Sequence, residues 1–170
     1  MQTVSEGNVS MEVACGLAEE VVRTFGEVRL RVFGISMVPA ILPGDVVSVR
    51  RASAEEVSVG EAVLYCRGGR LFVHRVVDRT NAATGDRSEE PRLITRGDRM
   101  RREDSPVAPS ELLGRVVSVE RDRRRVEFPV CESNTLVARA LRSSERLTSL
   151  YLRFAQARLN FFPRRDKCRA

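Results

Sequence analysis

The sequence lacks several features that would have fixed its class at once. No stretch approaches the roughly 18 consecutive apolar residues that a membrane-spanning helix needs. Residues 1–25 have no basic start leading into an unbroken apolar run. Glu6, Glu12, Glu19 and Glu20 interrupt it, so it does not read as a secretory leader. The 4 cysteines, Cys15, Cys66, Cys131 and Cys168, form no C-x-x-C pair. Their wide spacing reads as free thiols in a reducing compartment and predicts no metal site. The 1 histidine, His74, excludes a multi-histidine metal centre. No cofactor is expected. Together these absences point to the cytoplasm, with a peripheral position at the inner face of a membrane left open.

The residues that are present suit a folded domain. With 42% hydrophobic and 31% charged residues in 170, the chain has enough apolar material for a real core. Its net charge of +6 is unevenly spread. From Arg153 onward the bases stand against a single acid, Asp166, and the rest of the chain is close to balanced. The high pI therefore describes a tail. Such a tail is either simply solvated or meets an anionic membrane surface or nucleic acid. No specific nucleic-acid partner is expected.

Periodicity predicts a helix over 10–25. Met11, Ala14, Leu17, Ala18, Val21, Val22 and Phe25 recur at three and four, Ser10 is placed to cap the start and Gly26 to end it. Strand patterns follow over 27–32, 45–50, 62–66, 71–77, 93–95, 112–119 and 126–130. Gly68-Gly69 suits a hairpin turn between the third and fourth. Gly114 is expected to bend or bulge its strand. Residues 78–91 and 96–109 read as loops. A second helical pattern runs over 134–159 with arginines interleaved. It suits a core-packing helix, a partner-binding helix or a basic helix lying on a membrane, the last giving peripheral membrane contact through 134–162. The expected fold is mainly β: a partly closed antiparallel core flanked by an N-terminal and a C-terminal amphipathic helix. The corresponding divisions are 1–26, 27–130 and 131–170.

The stretch that organises the chain is 33–47, FGISMVPAILPGDVV. Ser36 stands between two apolar runs. Gly34 permits a close approach or a positive φ, and Pro39 stiffens the backbone three positions on. A serine hydroxyl is a weak nucleophile and needs a base. His74 is the one imidazole available, and alternation places it with Phe72 and Val76 on one strand face. The loop 97–104, GDRMRRED, supplies Asp98 and Asp104, either of which could orient the imidazole.

These segments resemble the signal peptidase I family of serine proteases, in its archaeal and endoplasmic-reticulum branch. GISMVPAILPGDVV (34–47) is similar to the family's serine box and HRVV (74–77) to the box of the general base. ITRGDRMRRED (94–104) resembles the glycine–aspartate box, and GEAVLYC (60–66) and SPVAPSELLGRVV (105–117) resemble the strands around it. The likeness covers about 30–118. It implies a β protease core and cleavage of a precursor protein or peptide after a small residue. Ser36 would be the nucleophile, His74 the base, and Asp98 or Asp104 its support. It also implies an oxyanion hole using the Ser36 N–H, with Gly34, Ile35, Met37, Val38 and Pro39 as the substrate-binding segment. Gly34 stands where some relatives carry an extra hydroxyl donor, and Arg99 stands where the family has asparagine. Typical members also have a membrane span before the serine box. Three other readings remain beside this one: a peptide-binding module that does not cut, a self-cleaving regulator like the SOS-repressor proteases, and nonspecific nucleic-acid binding through the tail.

Overall fold

The computed structural model describes residues 6–80, 91–122, 124–127, 147–151 and 153. Helix α1 (Glu6–Phe25) leads into strand β1 (Glu27–Arg31). Then come β2 (Val46–Arg50), β3 (Ala62–Arg67), β4 (Arg70–Thr80), β5 (Arg92–Arg96), β6 (Leu112–Arg121) and β7 (Arg124–Glu127). All pairings are antiparallel, and the strand order is β1-β2-β6-β3-β4-β5, with β7 added to β6. The path does not return on itself, so this mainly β fold is an open sheet and not the partly closed core expected. Residues 147–151 are helical. Arg153 is helical as well; the rest of the predicted helix at 134–159 and of the basic tail lies outside the described residues, as does the membrane contact expected of them.

Each predicted strand is present, within a few residues at its ends, though of the one expected over 126–130 residues 128–130 lie outside the described residues. The apolar–polar alternation explains why the sheet has two unlike faces. On one, Val28, Val47, Val49, Leu64, Val116 and Val119 pack beneath α1. On the other, Val63, Tyr65, Val76 and Leu93 form a second core with Val57 and Val107. The Gly68-Gly69 hairpin forms as expected, with positive φ at both glycines.

Helix α1 departs from expectation in three ways. It already includes Glu6, so Ser10 lies inside it and is not its cap. Its buried stripe is Cys15, Ala18 and Val22, while Leu17 and Phe25 are exposed. Cys15 also forms a disulfide with Cys66 on β3, across a Cα–Cα distance of 6.2 Å. These two cysteines are therefore not the free thiols that their spacing suggested; Cys131 and Cys168 lie outside the described residues. Small side chains let the helix approach the sheet closely, and the disulfide fixes which face it presents. Gly26 ends the helix with a φ of +73°.

β6 is the hub. Its outer edge pairs with β2, and its inner edge pairs with β3 and then β7. The register slips twice along it, between Ser48 and Val49 of β2 and between Leu64 and Tyr65 of β3. Gly114 sits between these irregularities, as its strand-breaking character predicted. A Cβ there would lie 2.2 Å from the Arg50 carbonyl oxygen and 2.7 Å from its carbon. Both are backbone atoms of the neighbouring strand and cannot turn aside. Gly114→Ala is therefore expected to destabilise the fold by about 1–3 kcal/mol or more, read as a lower urea midpoint at unchanged m-value.

Candidate active site

Ser36 lies in a turn between β1 and β2 that is anchored at both ends. At its far end the Asp45 carbonyl accepts from Val32 N–H, and the Asp45 carboxylate accepts from Leu42 N–H at 2.8 Å. Arg121 of β6 forks onto the same carboxylate, at 2.6 Å from Nη2, and reaches the Ala40 carbonyl. In the middle, Met37 and Ile41 enter the main core, while Val38 and Leu42 pack with Tyr151. The Val38–Pro39 peptide is cis. At the near end the Ser36 carbonyl accepts from Arg99 N–H at 2.8 Å. Gly97 lies directly against it: a Cβ at Gly97 would meet Ser36 O at 2.8 Å and Ser36 Cβ at 3.0 Å. Only glycine lets the 97–100 turn come this close to the serine.

His74 is buried on β4, on the face shared with Phe72 and Val76. Its Nε2 lies 3.1 Å from Ser36 Oγ and its Nδ1 lies 2.6 Å from Asp104 Oδ2. Asp104 Oδ2 also accepts from Thr95 Oγ1 at 2.7 Å and from the Tyr65 hydroxyl at 3.2 Å. The Tyr65 oxygen is 3.4 Å from Nδ1. A carboxylate can only accept, so the network assigns the imidazole proton to Nδ1 and leaves the Nε2 lone pair facing the serine hydroxyl. Burial opposes the Asp104 charge. Hydrogen bonds from His74, Thr95 and Tyr65, with the His74 charge, outweigh it and hold this carboxyl below its ordinary value. Burial first, then the nearby Asp104 charge, push the Tyr65 phenol up to about 12, against the lowering effect of Thr95 and Arg67. Tyr65 therefore remains a donor.

The two candidate acids have separate partners. Asp104 meets His74. Asp98 accepts from Arg75 Nε and Nη2, both at 2.8 Å, and the Arg75 Nη1 donates to the Gly60 carbonyl at 2.6 Å. Both side chains of this pair are almost wholly buried, 4% and 3% exposed. Asp98 thus fixes the turn that carries Gly97 against Ser36; the imidazole is held by Asp104.

Of the substrate-binding candidates, Gly34 and Ile35 are exposed and Pro39 is half-buried. Met37 and Val38 have their side chains sealed in the core and present none to a ligand. Gly34 has neither a positive φ nor a neighbour that a Cβ would meet, so the reason given for glycine there does not apply. Sequence reasoning missed Tyr65, Thr95, Arg75 and Arg121. A signal existed for one of them: an arginine inside the apolar run Val73–Val77 must be paired if the strand is buried, which points to a partner carboxylate. Comparison of the chain with protein-family models finds no match, and comparison with curated proteins finds none either.

Two tests follow from these charges. Asp98→Ala removes the carboxylate that neutralises the buried Arg75 guanidinium and is expected to cost about 3–5 kcal/mol of stability, measurable by urea denaturation. Asp104 has a folded pKa below its unfolded value of about 3.9. Its ionised form therefore contributes stability above about pH 4, and this is lost as pH falls through the depressed folded value. The melting temperatures of wild type and Asp104→Asn should separate above about pH 4 and converge in acid.

Proposed function

We propose that the chain is a serine endopeptidase of the signal peptidase I type, cutting a precursor protein or peptide after a small residue. The observation that carries this reading is the continuous chain from Ser36 Oγ to His74 Nε2, 3.1 Å, and from Nδ1 to Asp104, 2.6 Å. A hydroxyl, an imidazole in the right tautomer and a carboxylate in this order are what acyl transfer by serine requires. The order of the boxes along the chain supports the same family.

In this mechanism Ser36 Oγ attacks the scissile carbonyl carbon as its proton passes to His74 Nε2. The Ser36 N–H donates to the developing oxyanion. Asp104 holds the resulting imidazolium, which protonates the leaving amine as the C–N bond breaks. Water, deprotonated by His74, then releases the acyl group from Ser36. An extended peptide lies along the exposed backbone of Gly34 and Ile35, just ahead of the nucleophile. No helix of the described residues is long and apolar enough to cross a membrane. The Cys15–Cys66 disulfide favours an oxidising compartment over the cytoplasm first expected.

The test is cleavage of a peptide library with small residues at the first and third positions before the scissile bond, read by mass spectrometry. Wild type should cut after a small residue, and Ser36→Ala and His74→Ala should not. Asp104→Asn should lower kcat by roughly three to four orders of magnitude, while the peptides still bind. Binding without cutting by wild type would turn the reading toward a peptide-binding module.

A further inference from the structure

Asp104 begins a short segment, 104–107, that is tied down residue by residue. Asp104 N–H donates to the Thr95 carbonyl at 2.8 Å, and Val107 exchanges backbone hydrogen bonds with Leu93 at 2.8 and 3.2 Å. The two residues between them, Ser105 and Pro106, are exposed and extend past the edge of β5. Their carbonyls are held from another strand. Arg67, the last residue of β3, donates from Nη1 to Ser105 O and from Nη2 to Pro106 O, each at 2.9 Å.

The same guanidinium is fixed from behind. Its Nε and Nη2 fork onto Glu111 at 2.7 and 2.6 Å. Glu111 in turn accepts from Ala108 N–H at 2.9 Å. The hydrogen bonds between them raise the Arg67 pKa and lower that of Glu111, so both stay charged. The Arg67 carbon Cζ lies 5.4 Å from the centre of the Tyr65 ring, which also stacks on Phe72 at 5.3 Å and meets the His74 ring edge-on at 6.1 Å. One planar group thus touches two of the things that place the Asp104 carboxylate: the backbone that follows it and the phenol that donates to it, beside the Thr95 hydroxyl.

We propose that Arg67 is a positioning residue for the Ser36–His74–Asp104 chain, acting through Tyr65 and the Ser105 and Pro106 carbonyls to hold the Asp104 carboxylate against Nδ1. The fork is essential. Four N–H donors in one plane serve a carboxylate and two carbonyls, and a lysine ammonium has only three donors without that planarity. Arg67 touches neither serine nor imidazole, so its effect reaches the reaction through the orientation of His74.

The kinetic part of this proposal rests on the peptidase reading, and a spectroscopic part does not. Because His74 is the only histidine, its Nδ1 proton gives one assignable downfield resonance in the proton NMR spectrum when it is held in a short bond to a carboxylate. In Arg67→Lys that resonance should broaden into exchange or move upfield, and kcat for peptide cleavage should fall about 10- to 100-fold at nearly unchanged KM. Tyr65→Phe keeps the ring and removes the hydroxyl; it should shift the resonance in the same sense and carries the test if Arg67→Lys does not fold. An unchanged resonance in a folded Arg67→Lys or Tyr65→Phe chain, or a wild-type chain without it, overturns the proposal. So does a rise in KM at constant kcat. If wild type cuts no peptide but the resonance is present and lost in the variants, the peptidase reading fails and the positioning role stands.

Discussion

One imidazole must face a hydroxyl on one nitrogen and a carboxylate on the other, and much of the sheet is arranged to meet that demand. His74 lies within β4, where both neighbouring strands can reach it. Register places Tyr65 of β3 opposite Phe72, Val63 opposite His74, and Thr95 of β5 opposite Val76. Paired residues point to the same face. The hydroxyls that hold Asp104 are therefore delivered by strand pairing, before any loop is considered. Loops supply only the two ends of the chain: the serine turn on one side and the segment from 104 on the other.

Consecutive residues of a strand face opposite ways, and β4 uses this to sort two carboxylates from one loop. His74 takes Asp104 and Arg75 takes Asp98. The arrangement keeps the acids from acting on each other, since a second carboxylate beside Asp104 would raise its pKa and weaken its hold on an imidazolium. It also couples the two ends of the site. The loop between Thr95 and Asp104 carries Gly97, which abuts Ser36, and Arg99, whose backbone N–H binds the Ser36 carbonyl and whose Nε donates to Thr148 at 3.2 Å. Ser36 and Asp104 are thus placed by one stretch of chain.

Most of the sheet was legible because its strands alternate cleanly and its turns carry glycine where positive φ is needed. Gly26, Gly68 and Gly69 all meet that expectation. The rotation of α1 was not legible. Leu17 and Phe25 have the hydrophobicity of core residues, but a disulfide and the small side chains of Ala18 and Val22 set which face approaches the sheet. Tertiary constraint overrides the hydrophobic period there. At the site, Ser36, His74 and two aspartates could be read as residue types suited to one chemistry. Which aspartate meets the histidine could not, because it depends on a strand register that fixes parity across β4. Tyr65 and Thr95 were invisible for the same reason: each looks like an ordinary strand residue until its partner is known.

The buried Arg75–Asp98 pair shows how such constraints are met at a cost. Removing two charges from water is expensive, and an apolar pair of similar volume often does as well or better for stability. Stability is thus a weak explanation for the pair. Its geometry offers a stronger one. Asp98 follows Gly97, and Arg75 follows His74. A bidentate fork with both contacts at 2.8 Å fixes the distance between these two backbone positions more tightly than apolar contact would. One of these backbones lies against Ser36 and the other carries His74. The ion pair therefore ties the backbone beside Ser36 to the backbone that carries His74, the two residues whose side chains meet at 3.1 Å.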